Sequence, residues 1–333
     1  MVLNETAFRK YLSKRKVDPE QAQTFLNCLE ELQKFQKTDN IDSLPKGTIL
    51  QYTEHLVKVN PDAVLDTLRA LYNYGYFIKN YDYVAEVLDI HEGYNAMDNL
   101  FDRVAEQFGE TVRDEIFTDI QLPPLGVDPE PKCEVTKIVM KRLEETLGED
   151  KTIELLAPCL HGHDVEPKAR EDFLKLKDID AFLEFKHQTV VDRFRQHMKN
   201  GTLEYAQYVD EDVVAYVENT PTISPGIREG DKIISTKIPY HIKAMLDAKD
   251  PHMKRYYVCY CPWVRGAIRN GTEDEISSNF CHCSAGFTKQ YWDIVFNQPV
   301  KVQPIETALT GALHCKFAIE IPKKYQKKDA ANR

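Results

Sequence analysis

The sequence predicts an α+β protein, with helices to about residue 200 of 333 followed by a sheet packed with helices. Three observations predict it. Asp18-Pro19-Glu20 and Asn60-Pro61-Asp62 each place a capping residue ahead of a first-turn proline, the local chemistry that starts a helix. Apolar residues recur at helical spacing behind those starts. From Gly230 onward the spacing shifts to the two-residue alternation of strands.

Behind Asp18, residues Phe25, Leu29, Leu32 and Phe35 fall on one helical face. Behind Asn60 so do Val64, Leu68, Leu71 and Tyr72, running into the aromatic stretch Tyr74 to Phe77. Residues 1–121 are therefore predicted as a helical bundle. Four prolines and a glycine between Leu122 and Pro131 remove backbone donors and interrupt helix, so 122–131 is predicted as a linker. Helical periodicity resumes at 134–147, 150–156 and 178–199, the last through Ile179, Phe182, Leu183 and Phe185, and extends a helical region over 132–225. Strands are predicted at 231–238, 255–261 and 314–321, with Cys315, Phe317, Ile319 and Ile321 on one buried face of the last. Between them, Phe287, Tyr291, Ile294 and Val295 mark a helix that covers the sheet, and Val300 and Val302 enter a short extended stretch. Residues 226–322 thus form the α+β, cysteine-rich domain, and the lysine-bearing 323–333 a solvated tail.

The formal charge of −10 sets the mean field of the surface against nucleic acid and anionic membranes. The expected partners are a small-molecule ligand or another protein, with a homodimer left open. No run approaches the ~18 apolar residues of a membrane-spanning helix, and no basic flank followed by an apolar core stands at Met1. The expected compartment is the cytoplasm, where thiols stay reduced or bind metal.

Five of the eight cysteines crowd the last quarter of the chain, as Cys259-Tyr-Cys261, Cys281-His-Cys283 and Cys315. Such clustering points to soft-metal or thiol chemistry. Parity adds a carboxylate: in an extended segment from Val300, Glu306 shares the inward face of Val300 and Val302 unless the chain kinks at Pro304. An ionised carboxylate indoors needs a counter-charge, which a divalent metal supplies. The expected metal centre therefore draws on Cys259, Cys261, Cys281, Cys283, Glu306 and Cys315, with zinc as the ion. An iron–sulfur cluster is the alternative metal reading, and reduced or nucleophilic cysteines are the metal-free ones. Cys159-Leu-His161-Gly-His163-Asp164 is a separate group of ligand types at a helix end; alone it reads as a polar loop, and it gains weight only if the fold carries it to the C-terminal cysteines. Trp263, Phe287 and Trp292 are candidates for the wall of an apolar pocket, although aromatic residues at such spacings are usually core.

The run Cys261-Pro-Trp263, Phe280-Cys281, Gly286-Phe287, Val300, Glu306, Gly311 and Cys315-x-Phe317 resembles the 4-vinyl-reductase domain and its relatives, the L-2-amino-thiazoline-4-carboxylate hydrolases. The resemblance implies a vinyl-reductase-like antiparallel sheet packed with helices, an apolar ligand cavity, and zinc held through cysteines and a glutamate. Glu306 and Cys315 match the family's E…G…C-x-F ending, Cys281 or Cys283 its upstream cysteine, and Cys261-Pro-Trp263 the opening of the hydrolase branch. Thr307-Ala308-Leu309 stands where many of these sequences carry a further cysteine, so one ligand has to come from elsewhere. The function this implies is a zinc-containing, small-molecule-binding protein. Its rival is a metal- or cysteine-dependent hydrolase of a small cyclic C–N or C–S substrate.

Overall fold

The computed structural model describes residues 4–38, 40–161 and 167–326. It is a mixed helical and β protein that divides into two compact units.

The first unit comprises Met1–Tyr94, Leu122–Pro131 and Leu203–Gln207. Its helices begin where the caps place them. The Asp18 carboxylate accepts the Gln21 backbone N–H at 2.9 Å and opens the helix Pro19–Gln36, while Asn60-Pro61 leads through a short 3-10 turn into Val64–Ile78. Their apolar faces, with Phe8 and Leu12 from the helix Glu5–Lys14, close a core around Leu26, Leu29, Leu68, Leu71 and Tyr74. The proline-rich stretch expected as a linker is packed into this unit. Thr53 Oγ1 donates to the Gly126 carbonyl at 2.8 Å, and Leu125 lies against the core. Gly126 adopts φ +97°, and a Cβ there would meet Val64 at 2.7 Å, so glycine is needed both for the backbone turn and for the close approach. The boundary expected at 121 therefore shifts: residues 95–121 belong to the second unit, and 122–131 fold back onto the first.

The second unit comprises Asn95–Gln121, Lys132–Thr202 and Tyr208–Arg333. Its sheet has four antiparallel strands, β1 (Ile227–Glu229), β2 (Lys232–Thr236), β3 (Val302–Glu306) and β4 (Lys316–Glu320), in the order β1-β2-β4-β3. Ile233, Val302, Phe317 and Ile319 turn one face inward against the helices Lys168–Leu176, Ile179–Asn200 and His282–Phe296, and Phe173, Phe182, Trp292 and Phe296 fill the layer between. Trp292 stacks on Phe296 with ring centres 5.3 Å apart. Trp292 and Trp263 are therefore core residues, whereas Phe287 is 41% exposed, and the three do not combine into an apolar pocket wall.

Two expectations fail here for local reasons. Residues 255–261, read as a strand from their aromatic and β-branched content, instead finish the helix Pro251–Val258 and turn into Pro262–Asn270. The Asp250 carboxylate accepts the His252 N–H at 2.8 Å, and proline at the first helical position follows each cap, so capping outweighs β-propensity. The second failure concerns Glu306. Pro304 pairs with Phe317, but Glu306, not Ile305, pairs with Lys316, so β3 carries one extra residue in a bulge at Ile305. That residue reverses the parity. Glu306 emerges on the outer face and Thr307 takes the interior place, only 4% exposed. No helix among the described residues is long and apolar enough to cross a membrane.

Candidate metal centre

The helix Glu149–Leu156 ends in the loop Ala157-Pro158-Cys159-Leu160-His161, which lies directly on the first turns of the helix His282–Phe296. The contact depends on Gly286. A Cβ at that position would stand 2.1 Å from the Ala157 carbonyl oxygen and 2.5 Å from the Cys159 nitrogen, both backbone atoms that have no easy way to yield. With hydrogen in place of a side chain, the loop settles close enough to bring Cys159 and His161 to Cys283.

The helix Ala96–Phe108 holds the loop from another side. Arg103 Nη1 donates to the Leu155 carbonyl at 2.8 Å and to that of Pro158, Arg103 Nη2 to that of Cys159 at 3.0 Å, and Asn99, one turn away, to that of Leu160 at 2.6 Å. These carbonyls lie at a helix end, where the backbone leaves acceptors unfilled, and two side chains satisfy them.

The result is a group of three ligand atoms within 4.8 Å of one another: Cys159 Sγ, a ring nitrogen of His161, and Cys283 Sγ. This group can hold a metal ion. His161 Nδ1 is 3.4 Å from Cys159 Sγ and 3.7 Å from Cys283 Sγ. Each sulfur also receives a backbone N–H, Leu160 donating to Cys283 and His161 to Cys159, both at 3.3 Å. Such donors favour the thiolate over the thiol, and so does the position of Cys283 in the first turn of a long helix. Hydrogen bonding from Cys283 and His161 holds Cys159 down at about 4 against the opposing effect of burial, while the same contact with Cys159, with burial, pushes Cys283 up. The shared contact thus favours negative charge on one sulfur of the pair. His161 Nε2 is buried with no hydrogen-bond partner among the described residues, so the ring is oriented through Nδ1 alone.

Of the expected ligands, only Cys283 belongs to this trio. Cys159 and His161, read from sequence as a separate loop, complete it, and His163 and Asp164 lie outside the described residues. Cys259, Cys261, Cys281 and Cys315 form a neighbouring thiol group. Burial pushes Cys281 up to about 12 and Cys259 and Cys315 up as well, with the neighbouring sulfurs adding to the effect at Cys259 and Cys281. Thr307, brought inward by the bulge, hydrogen-bonds Cys281, and the Ala308 N–H donates to Cys315 Sγ at 3.5 Å.

Glu306 is not part of either group. Its side chain is 44% exposed, and it binds His314 Nε2 and, at 3.5 Å, Lys316 Nζ, which together hold its carboxyl below the usual range. The reason is the bulge at Ile305. Glu306→Gln should therefore leave metal content unchanged and shift stability by no more than about 0.5 kcal/mol, as for other exposed ion pairs. Elemental analysis and a urea titration of the variant check both.

An open groove of about 1280 Å³ lies in the second unit, and no cysteine is among the residues that line it. Asn279, two residues before Cys281, bridges Glu144 at 2.8 Å and Glu149 at 3.3 Å, and the turn Leu309-Thr310-Gly311 that follows Thr307 forms another stretch of wall. Charged side chains, including Lys137, Lys141, Arg255 and Glu273, make up much of the remainder, so the groove suits a polar ligand and not the apolar one expected from sequence. Arg255, buried, pairs with Glu273 at 2.5 Å and donates to the Ala308 carbonyl at 3.3 Å, which ties the groove wall to the turn that holds Cys315.

No family model, curated protein or solved structure matches this chain. The site therefore rests on its own chemistry.

Sequence reading passed over Asn99 and Arg103, and took Thr307 only as the residue that stands where a cysteine was expected. None carries a local signal. Arg103 sits on an ordinary amphipathic helix, and its role arises only because a loop more than fifty residues later ends against it.

Proposed function

We propose that this chain is a zinc protein whose ion sits between Cys159, His161 and Cys283, and that a polar small molecule bound in the groove walled by Lys137, Arg255 and Glu273 is its ligand. One observation carries the reading. Tetrahedral zinc, with sulfur at ~2.3 Å and imidazole nitrogen at ~2.0–2.1 Å, sets S and N about 3.5 Å apart. The two separations here are 3.4 and 3.7 Å. Two thiolates and an imidazole are also the softer donors that zinc accepts, and neither calcium nor magnesium favours them.

The donor count supports a second reading. Three protein ligands among the described residues leave one tetrahedral position for water or substrate, the pattern of a catalytic site, whereas structural sites are closed by four. Zinc would supply there a water acidified towards pH ~7, and the protein would be a hydrolase of a small C–N or C–S compound. Glu306 does not serve as base in this version, because its carboxylate is engaged by His314 and Lys316.

Metal analysis of the full chain purified without chelators tests the reading. The expected result is one zinc per chain at this site, lost in Cys283→Ala and in His161→Ala with the circular dichroism retained. A folded protein with no zinc, or zinc indifferent to both substitutions, overturns it.

A further inference from the structure

Two of the three donors in the metal centre are thiols placed where they can react with each other. Cys159 Sγ and Cys283 Sγ lie within 4.8 Å, and His161 Nδ1 stands beside both, 3.4 Å from the first and 3.7 Å from the second. A disulfide sets its sulfurs ~2.05 Å apart, so the bond is a short displacement away. Contacts that involve no metal hold the pair together. The Leu160 N–H donates from the loop to Cys283 Sγ on the helix, and the His161 N–H to Cys159 Sγ, both at 3.3 Å. Gly286, lacking a side chain, lets the Cys159 loop rest on the helix that carries Cys283. An ion that departs therefore leaves the two sulfurs side by side.

The donor count gives that proximity a consequence. Among the described residues the trio has no spare ligand, so loss of both sulfurs leaves His161 alone, too little to keep an ion. Metal binding needs each cysteine as a thiolate, and a disulfide consumes both, so the two states exclude each other. Access selects the reagent. Cys159 and Cys283 are 5% and 4% exposed, which leaves little room for a bulky thiol or a protein disulfide to attack them. Hydrogen peroxide is little larger than water. Once it has oxidised one sulfur, the nearest thiol to resolve the product is the other member of the pair.

We propose that the Cys159–Cys283 pair is a redox switch, in which hydrogen peroxide joins the two sulfurs and releases the zinc, and a dithiol restores the site. The proposal rests on the zinc reading for the ion released, and on the geometry of the pair alone for the bond formed. In the first step one thiolate attacks a peroxide oxygen, the O–O bond breaks, hydroxide leaves and the sulfur becomes a sulfenic acid. In the second the other thiolate attacks that sulfur, the S–S bond forms, the S–O bond breaks and another hydroxide leaves. The two sulfurs together give up two electrons and the two peroxide oxygens take them. A dithiol returns these electrons by exchange, closing to its own disulfide and passing its two protons to water.

The experiment is titration of the zinc-loaded full chain with hydrogen peroxide, in which a chromophoric chelator follows zinc release, alkylation traps free thiols and mass spectrometry maps the linked peptides. Untreated protein should keep its zinc in the presence of the chelator and yield no Cys159–Cys283 peptide. Peroxide should release zinc in step with that peptide, and dithiothreitol with added zinc should reverse both. His161→Ala, which keeps both sulfurs, should form the same disulfide with no zinc to release. Cys281→Ser/Cys315→Ser, which keeps the trio, should behave as wild type. Zinc release with the two sulfurs recovered as sulfinic or sulfonic acids, or linked to other cysteines in place of each other, overturns the switch. So does zinc that stays bound while other cysteines oxidise, and in that case the zinc reading stands. A chain that never held zinc yet yields the linked peptide overturns the zinc reading, and with it the release step, while the disulfide stands.

Discussion

Gly286→Ala is expected to dismantle the metal centre without touching a ligand. The added methyl would lie 2.1 Å from the Ala157 oxygen and 2.5 Å from the Cys159 nitrogen, so the loop has to lift from the helix by more than an ordinary van der Waals adjustment. Because Cys159 and His161 ride on that loop while Cys283 rides on the helix, the displacement separates the donor pair from the third. Zinc affinity should fall by at least ~10-fold, and overpacking should destabilise the second unit by about 1–3 kcal/mol. Alanine is otherwise the better helix former by about 1 kcal/mol. A neutral or stabilising result would therefore show that the loop does not press on the helix. Competition with a chromophoric chelator reads the affinity, and urea unfolding reads the stability.

Arg103→Met should produce an effect of the second kind, in which the ligands keep their places in sequence but lose their support. Methionine keeps much of the apolar stem and removes the guanidinium, leaving the carbonyls of Leu155, Pro158 and Cys159 without a donor that reaches all three. Each buried acceptor left unpaired costs about 1–3 kcal/mol where water does not replace the donor. Loss of such support typically weakens metal binding ~10–100-fold, and that is the range expected here. Arg103→Lys should recover part of the loss, because one ammonium serves one or two carbonyls but does not reproduce the planar fork. Equal metal affinity in wild type, Arg103→Lys and Arg103→Met would show that the loop is fixed by other contacts.

These two residues also mark where sequence reading stops. Much of what depended on neighbours along the chain was legible. Asp18-Pro19 and Asn60-Pro61 start helices, and Phe317 and Ile319 face inward from an alternating strand, because caps and parity are local properties. Glu306 was misplaced although its parity was counted correctly. One extra residue at Ile305 reverses every side chain after it, and bulges leave no reliable mark in composition. Tyr256, Tyr257 and Val258 read as strand by propensity, yet Asp250-Pro251 had already committed them to a helix. Soft-ligand chemistry was legible in the crowding of cysteines, and the Cys159-x-His161 pair was visible as ligand types. Their meeting with Cys283, more than a hundred residues away, was not, since it depends on a missing side chain at Gly286 and on an arginine with no motif around it.

The central claim is that Cys159, His161 and Cys283 share one ion. X-ray absorption at the zinc edge of the zinc-loaded full chain tests it most directly when Cys281→Ser/Cys315→Ser is the background, because any other thiol centre is then removed. Two sulfurs at about 2.3 Å and one imidazole nitrogen at about 2.0 Å, with the nitrogen shell lost in His161→Ala, is the result predicted. A first shell of four sulfurs, or one of oxygens alone, would contradict it.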